Sequence, residues 1–258
     1  MTREFRKIRL GMREGGAVAD LALNAPKANV VDGETMGELE RALESLSGER
    51  GLRVVVLSGE GPHFSFGASV PEHTRERAPA MLRGFHGLFE KLMKFDVPIL
   101  AKVRGQCLGG GFELAAFCHF IFADTTAQFA VPEVKLGVFP PPASLILPLK
   151  IGQGWADWMV LTGAPVGAQE AQRMGLVQKV SSPESLDADV ESFIAANLLP
   201  LSASSLRFAQ RASRWAMHER LRSSLKDLEK LYLDDLMATH DAHEGIQSFL
   251  EKRKAVWA

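Results

Sequence analysis

The chain has 258 residues, 46% of them hydrophobic, which lets one α/β domain, or two, bury a sizeable core. Lys plus Arg number 30 against 31 Asp plus Glu, a formal charge of −1. That balance excludes a whole-protein field that would draw in nucleic acid or an anionic membrane, and leaves open a local basic patch for a phosphate-bearing ligand. Two cysteines, Cys107 and Cys118, are too few for a disulfide framework and lack metal-ligand spacing, so they read as buried thiols in a reducing compartment. The basic start, Met1 to Arg9, has no apolar segment of signal-peptide type, and no apolar run reaches the roughly 18 residues that span a bilayer. The expectation is a cytoplasmic protein.

In chain order, residues 5–10 and 17–23 read as two strands, with Glu14-Gly15-Gly16 as the turn of a hairpin. Met36, Leu39, Leu43 and Leu46 recur at helical spacing, and 53–58 is a short β-branched strand ending in Gly59-Glu-Gly-Pro62. Met81, Leu82, Phe85, Leu88, Phe89, Leu92 and Met93 mark the face of a second helix. A strand over 97–103, a short helix from about Gly110 and a strand over 119–123 follow. Strands alternating with helices imply a mostly parallel α/β arrangement. After about residue 152 the strands largely stop; 154–161, 168–174, 201–217 and 219–238 read as helices, with Gly175 suited to a position just past a helix end.

The chain therefore divides into an α/β core over 1–200 and a helical C-terminal region over 201–258. Leu221, Leu225, Leu228, Leu231, Tyr232 and Leu236 form an apolar face in that region, expected to contact a neighbouring subunit; packing on its own core is the alternative. Arg207, Arg211, Arg214, Arg220 and Arg222 read first as a solvated helical face, and second as a contact for phosphate or RNA. His240 and His243 lack a third ligand type nearby, so no metal site is expected.

Two segments carry candidate chemistry. Gly61-Pro-His-Phe-Ser-Phe-Gly-Ala-Ser69 leaves a strand and turns at Gly67, and Val103-Arg-Gly-Gln-Cys-Leu-Gly-Gly-Gly-Phe-Glu-Leu114 runs from strand through three glycines into a helix. A glycine-rich helix N-terminus presents unpaired N–H groups and a favourable dipole, suited to an oxyanion or a phosphate. Alone, the three glycines read equally well as a structural turn, and they lack the spacing of a Walker or dinucleotide loop. Glu113, alone, complements the helix dipole. Glu133 follows Pro132 inside an apolar run, where burial would raise its pKa and suit proton transfer; alone, it reads as a loop charge.

Together the segments resemble the crotonase (enoyl-CoA hydratase/isomerase) superfamily nearly end to end. The marks are Leu23-Asn-Ala-Pro-Lys-Ala28, Phe64-Ser-Phe-Gly-Ala-Ser69, Gly105-Gln-Cys-Leu-Gly-Gly-Gly-Phe-Glu-Leu114 and Phe129-Ala-Val-Pro-Glu-Val-Lys-Leu-Gly137. Leu161-Thr-Gly-Ala-Pro165, Gly175-Leu-Val177 and Glu244-Gly-Ile-Gln-Ser-Phe-Leu-Glu-Lys-Arg-Lys254 complete them.

The resemblance implies a spiral of ββα units with a helical region that mediates oligomerisation. It implies that the backbone N–H groups of Ala68 and Gly110 hold a thioester oxygen, while Glu113 and Glu133 position water and move its protons. Phe66, Gly67, Ser69, Val70 and Gly109 fall beside them, and Phe139 and Pro141 are expected along the acyl pocket. Lys27 and Ala28 match a CoA-contacting loop; Phe249 and Lys252 match positions at the adenine end of CoA, often supplied by a neighbour. The implied partner is an acyl-CoA thioester in a homotrimer or hexamer, without nucleic acid or membrane, and no cofactor is implied because CoA is part of the substrate.

Two departures bear on the substrate. Ser69 stands where many hydratases have Asp, and Phe139-Pro-Pro-Pro-Ala-Ser144 replaces a glycine-rich turn, removing three N–H donors. With Phe66, this is similar to hydratases of cyclic dienoyl-CoA in anaerobic aromatic degradation. The competing expectations are an isomerase or a general short-chain enoyl-CoA hydratase, and, from another class, a non-catalytic acyl-CoA or RNA-binding module on the same fold.

Overall fold

Strand β1 (Ile8–Arg13) pairs antiparallel with β2 (Val18–Leu23) across a tight turn at Glu14–Gly16, as the hairpin pattern predicts. The computed structural model describes residues 5–25 and 28–258; Lys27, expected in a CoA-contacting loop, lies outside them. Helix α1 (Gly33–Ser47) starts where the Asp32 carboxylate accepts the Thr35 N–H at 2.9 Å, which satisfies one of the helix's orphan donors. Next come β3 (Val54–Gly59), α2 (Ala78–Lys94) and β4 (Ile99–Val103), and β2, β3 and β4 run parallel side by side.

From β4 onward consecutive strands separate into two sheets. β5 (Gln106–Leu108) leaves the first sheet and leads into α3 (Gly109–Phe117). β6 (Phe120–Asp124) returns to the first sheet beside β4, and β7 (Gln128–Ala130) joins β5 in the second. The long α4 (Pro141–Thr162) then leads to β8 (Val166–Gly167), α5 (Ala168–Arg173) and β9 (Lys179–Ser181). The sheets are β1-β2-β3-β4-β6-β9 and β5-β7-β8, so the β4–β5–α3 and β6–β7–α4 turns each place one strand in each sheet. This is the expected ββα spiral.

Alternation along β3 divides the interior. Val55 and Leu57 face the main core with Leu39, Leu43, Leu82 and Phe89 of α1 and α2. Val54 and Val56 face the opposite side, where Leu186, Val190 and Ile194 of α6 (Leu186–Asn197) cover them. A strand buried on both faces reads as a continuous apolar run, which is why 53–58 stood out in the sequence.

The C-terminal region continues as α7 (Ala203–Ser213), α8 (Trp215–Lys230), one π-helical turn at Leu231–Asp235 and α9 (His240–Leu250). Its apolar face is absorbed within the chain. Leu221, Leu225 and Tyr232 are buried in the main core, Leu228 and Leu236 pack against it, and only Leu231 stays exposed. The alternative reading, packing on its own core, thus describes this stripe. The arginines are not one solvated face either: Arg214 is buried with its guanidinium donating to the Cys118 carbonyl at 2.7 Å, and Arg207 donates to the Glu49 carbonyl at 2.7 Å. His243 bonds the Met237 carbonyl at 3.0 Å. Among the described residues, no cluster of three His, Cys, Asp or Glu could hold a metal, and no helix is long and apolar enough to cross a membrane.

The triproline segment differs from expectation. It is not a loop: Pro140 caps α4, and Pro141 and Pro142 fill its first turn. A first-turn N–H has no intrahelical acceptor, so prolines there sacrifice nothing and set the helical φ in advance.

Candidate active site

Residues 64–69 are stitched between β5 and the segment after β2. The Phe64 N–H donates to Arg104 O (2.9 Å), Ser65 N–H to Gln106 O (3.0 Å), Phe66 N–H to Ala28 O (2.9 Å) and Val31 N–H to Gly67 O (2.9 Å). The Ser65 hydroxyl donates to Asn29 O at 2.7 Å and accepts the Gly67 N–H at 3.1 Å. Gly67 takes φ +101°, a left-handed conformation that side chains resist, and its missing Cβ would meet Leu108 O at 3.0 Å. That close approach brings Ala68 against the start of α3. A Cβ on Gly110 would sit 3.3 Å from the Ala68 nitrogen. The N–H groups at the first positions of α3 have no intrahelical acceptor, and the helix dipole adds positive potential there.

The two glutamates reach this spot from different elements. Glu113, one turn into α3, is buried, and its Oε1 accepts the Ala143 N–H at 2.8 Å. Ala143 is the first residue of α4 after the prolines with an amide to give, so the triproline leaves a single donor aimed at this carboxylate. Glu133 sits in a 3₁₀ turn, Pro132–Leu136; its Oε1 would lie 2.7 Å from a Cβ on Gly109, while its Oε2 is buried without a partner. Burial holds the Glu113 carboxyl well above the usual range, helped by the nearby Glu133 charge. Burial likewise raises Glu133, to about 7. Two carboxyls in one dry site disfavour double ionisation and keep a proton available near neutrality.

A cavity of about 710 Å³ opens over this cluster. Phe66, Gly67, Ala68, Ser69, Val70, Gly109, Glu133 and Phe249 line it, and so do residues the sequence reading did not single out: His73, Lys135, Ser248 and Arg253. Burial lowers the pKa of His73, whose Nδ1 pairs with Ser69 O at 2.9 Å. Arg253 is clamped by Glu244 at 2.5 and 2.7 Å. Ser248, Phe249 and Arg253 come from α9 and the turn after it, so the same chain completes the wall.

Four expected binding residues lie off the cavity wall, the first being Ala28, which meets the site through its carbonyl at the Phe66 N–H. Pro141 is buried in the first turn of α4, and Phe139 packs on the core with its ring 5.4 Å from that of Tyr232; neither lines the cavity. Lys252 sits past the end of α9 in a left-handed turn (φ +55°), outside the cavity wall, which Arg253 enters instead. A larger groove of about 910 Å³ between α2 and α8, lined by charges of both signs including Arg83, Glu90, Arg222 and Lys226, contains none of the expected catalytic or acyl-CoA-binding residues.

Residues 13–258 match the enoyl-CoA hydratase/isomerase family. The chain is 42% identical over 257 residues to a cyclohexa-1,5-dienecarbonyl-CoA hydratase of Thauera aromatica, covering 100% of this chain and 99% of that one. It is 35% identical to a probable enoyl-CoA hydratase of Rhizobium meliloti (strain 1021), over 93% and 94% of the two chains. The chain belongs to the enoyl-CoA hydratase/isomerase family. It is a lyase of the enoyl-CoA hydratase type on the crotonase fold. The fold also matches the crystal structure of an enoyl-CoA hydratase from Mycobacterium avium subsp. paratuberculosis K-10, with TM-score 0.87 and 23% identity over 99% of this chain and 100% of that one. Within this family fold, the residues that sequence motifs point to converge from β5–α3, the 64–69 segment and the turn at Pro132–Leu136.

Proposed function

We propose that this enzyme adds water to a conjugated enoyl-CoA thioester, and that its preferred acyl group is a cyclic diene. The observation that carries the reading is the pairing of two buried carboxyls with raised pKa values, Glu113 and Glu133, with the adjoining backbone of Ala68 and Gly110, beside a cavity that Ala68 and Glu133 line. The thioester oxygen lies between those two N–H groups. As water adds to a carbon conjugated with the carbonyl, negative charge collects on that oxygen, and each preorganised donor stabilises it by about 2.7–4 kcal/mol in the transition state. One carboxylate takes the proton of the attacking water; the partner carboxylic acid returns a proton to carbon, so the pair ends with one proton, as it began.

The CoA part of the substrate runs along the wall towards Phe249, with no further cofactor in the reaction. Trp155, Trp158, Phe208 and Trp215, large and exposed, supply apolar surface for a trimer or hexamer. The full-length 42% identity to a protein named for a cyclic dienoyl-CoA supports the ring substrate, and half-exposed Phe66 offers a flat wall for it. The test is a comparison of cyclohexa-1,5-diene-1-carbonyl-CoA with crotonyl-CoA in one spectrophotometric assay, with Glu113→Gln and Glu133→Gln alongside. The reading requires a higher kcat/KM for the ring, and a loss of about a hundredfold or more in kcat in each variant. A clear preference for crotonyl-CoA would make this a general enoyl-CoA hydratase, and a variant with near-normal hydration would remove that glutamate from the mechanism.

A further inference from the structure

The direction of the Ala68 N–H is set one residue earlier, at Gly67. A trans peptide unit is planar, so the Gly67 carbonyl and the Ala68 N–H point opposite ways from one rigid plate. Val31 N–H donates to the Gly67 oxygen at 2.9 Å, which fixes one end of that plate. The Ala68 N–H at the other end has no acceptor among the described residues and is free to donate. Gly67, at φ +101°, has no side chain to restrict it, so a bond on one side alone would let the plate swing. Ser65 supplies the second fixing point. Its hydroxyl is buried, accepts the Gly67 N–H at 3.1 Å and donates its own proton to Asn29 O at 2.7 Å. Both peptide planes that meet at Gly67 are thus tied, one through Val31 and one through Ser65.

Asn29 is built to hold its carbonyl still. It takes φ +47°, uncommon for a residue with a side chain, and its Nδ2 donates to Glu60 O at 3.0 Å and His63 O at 2.9 Å. With its proton committed to Asn29, the Ser65 oxygen keeps its lone pairs for Gly67. The Ser65 side chain also abuts α3: a Cβ on Gly111 would come within 2.4 Å of both its Cβ and its Oγ. One small side chain therefore joins the segment after β2, the turn at Gly67 and the start of α3. We infer that Ser65 is a positioning residue for the reaction, aiming the Ala68 N–H at the thioester oxygen by locking Gly67. It does not line the cavity and acts only through the backbone it holds. The inference rests on the reading of Ala68 and Gly110 as the oxyanion donors, and deepens it by naming what holds the first of them in place. With alanine at 65, the Gly67 N–H loses its partner and the plate can turn, so the thioester carbonyl is polarised less.

The bound carbonyl reports this directly. Cyclohexanecarbonyl-CoA labelled with ¹³C at the carbonyl has no double bond to hydrate, and isotope-edited infrared spectroscopy reads its C=O stretch on the enzyme. Two N–H donors should lower that frequency below its value in buffer, and Ser65→Ala should return it towards the buffer value. In the hydration assay Ser65→Ala should lose about tenfold or more in kcat, with KM kept within about threefold. Ser65→Cys fills the same space with a weaker acceptor and should fall between, which keeps the test open if Ser65→Ala does not fold. Ser181→Ala removes a buried hydroxyl in β9, away from the cavity; it controls for stability and should change neither measurement. A wild-type frequency in the folded Ser65 variants overturns the inference whatever their kcat, because a merely structural loss lowers kcat alone. A wild-type enzyme that leaves the bound carbonyl at its buffer frequency overturns the oxyanion reading, and the inference with it. One that polarises the carbonyl yet hydrates neither thioester overturns only the hydratase reading, and the frequency then decides on Ser65.

Discussion

Gly109→Ala tests how tightly the site depends on backbone geometry. Gly109 holds φ +48°, and an added Cβ would lie 2.7 Å from Glu133 Oε1, closer than real Cβ contacts come. Two penalties arise. The left-handed backbone costs an L-residue about 1–2 kcal/mol, which for a chain of this size lowers Tm by roughly 2–8 °C. The methyl also pushes the Glu133 carboxylate away by several tenths of an ångström, and misplacing a reacting group by about 1 Å costs on the order of a hundredfold in rate. Gly15→Ala is the matched control: Gly15 is also left-handed, at φ +62°, but has nothing within 4 Å of its Cβ position. Thermal unfolding and hydration kinetics on both variants separate the effects. Both should lose similar stability, and only Gly109→Ala should lose about tenfold or more in kcat. Equal kcat losses in the two, or wild-type kcat in Gly109→Ala, would refute the reasoning.

Because folding raises the Glu133 pKa from 4.5 to about 7, the native state binds more protons than the unfolded state between those values. This group's stabilising contribution is therefore complete below pH 4.5 and is lost as pH rises through 7; urea titrations from pH 5 to 8 should show that decline, and Glu133→Gln should flatten it. Leu221, fully buried between α8 and the core, predicts a different outcome from an interface residue. Leu221→Ala should cost about 2–5 kcal/mol in urea unfolding, by the same amount at every protein concentration, whereas an interface role would make the loss concentration-dependent.

What the sequence revealed follows from how each feature writes itself into residues. Val54–Leu57 in β3, buried on both faces, and the Met81–Met93 face of α2 have strong periodicity, and both elements lie where the pattern places them. β5, β7 and β8 have only two or three residues each, too few to establish a period, so the second sheet was invisible even though it positions α3. Pro140–Pro142 read as a stiff loop because prolines punctuate; their place in the first turn of α4 depends on the buried Leu145, Ile146, Leu147 and Ile151 beyond them. Tyr232 was legible only as one apolar position in a helical stripe. The π turn that carries it is not written in that stripe. Phe249 was legible through the terminal motif, but not the chain that would supply it.

That last point reaches beyond geometry. One polypeptide provides Ala68, Gly109 and Glu133 and also folds α9 over them to close the wall with Ser248 and Phe249. A lesion at either end therefore stays within the molecule that carries it. Co-expressing one copy damaged at Glu133 with another damaged at Phe249 should therefore restore no activity. In genetic terms the two alleles should fail to complement.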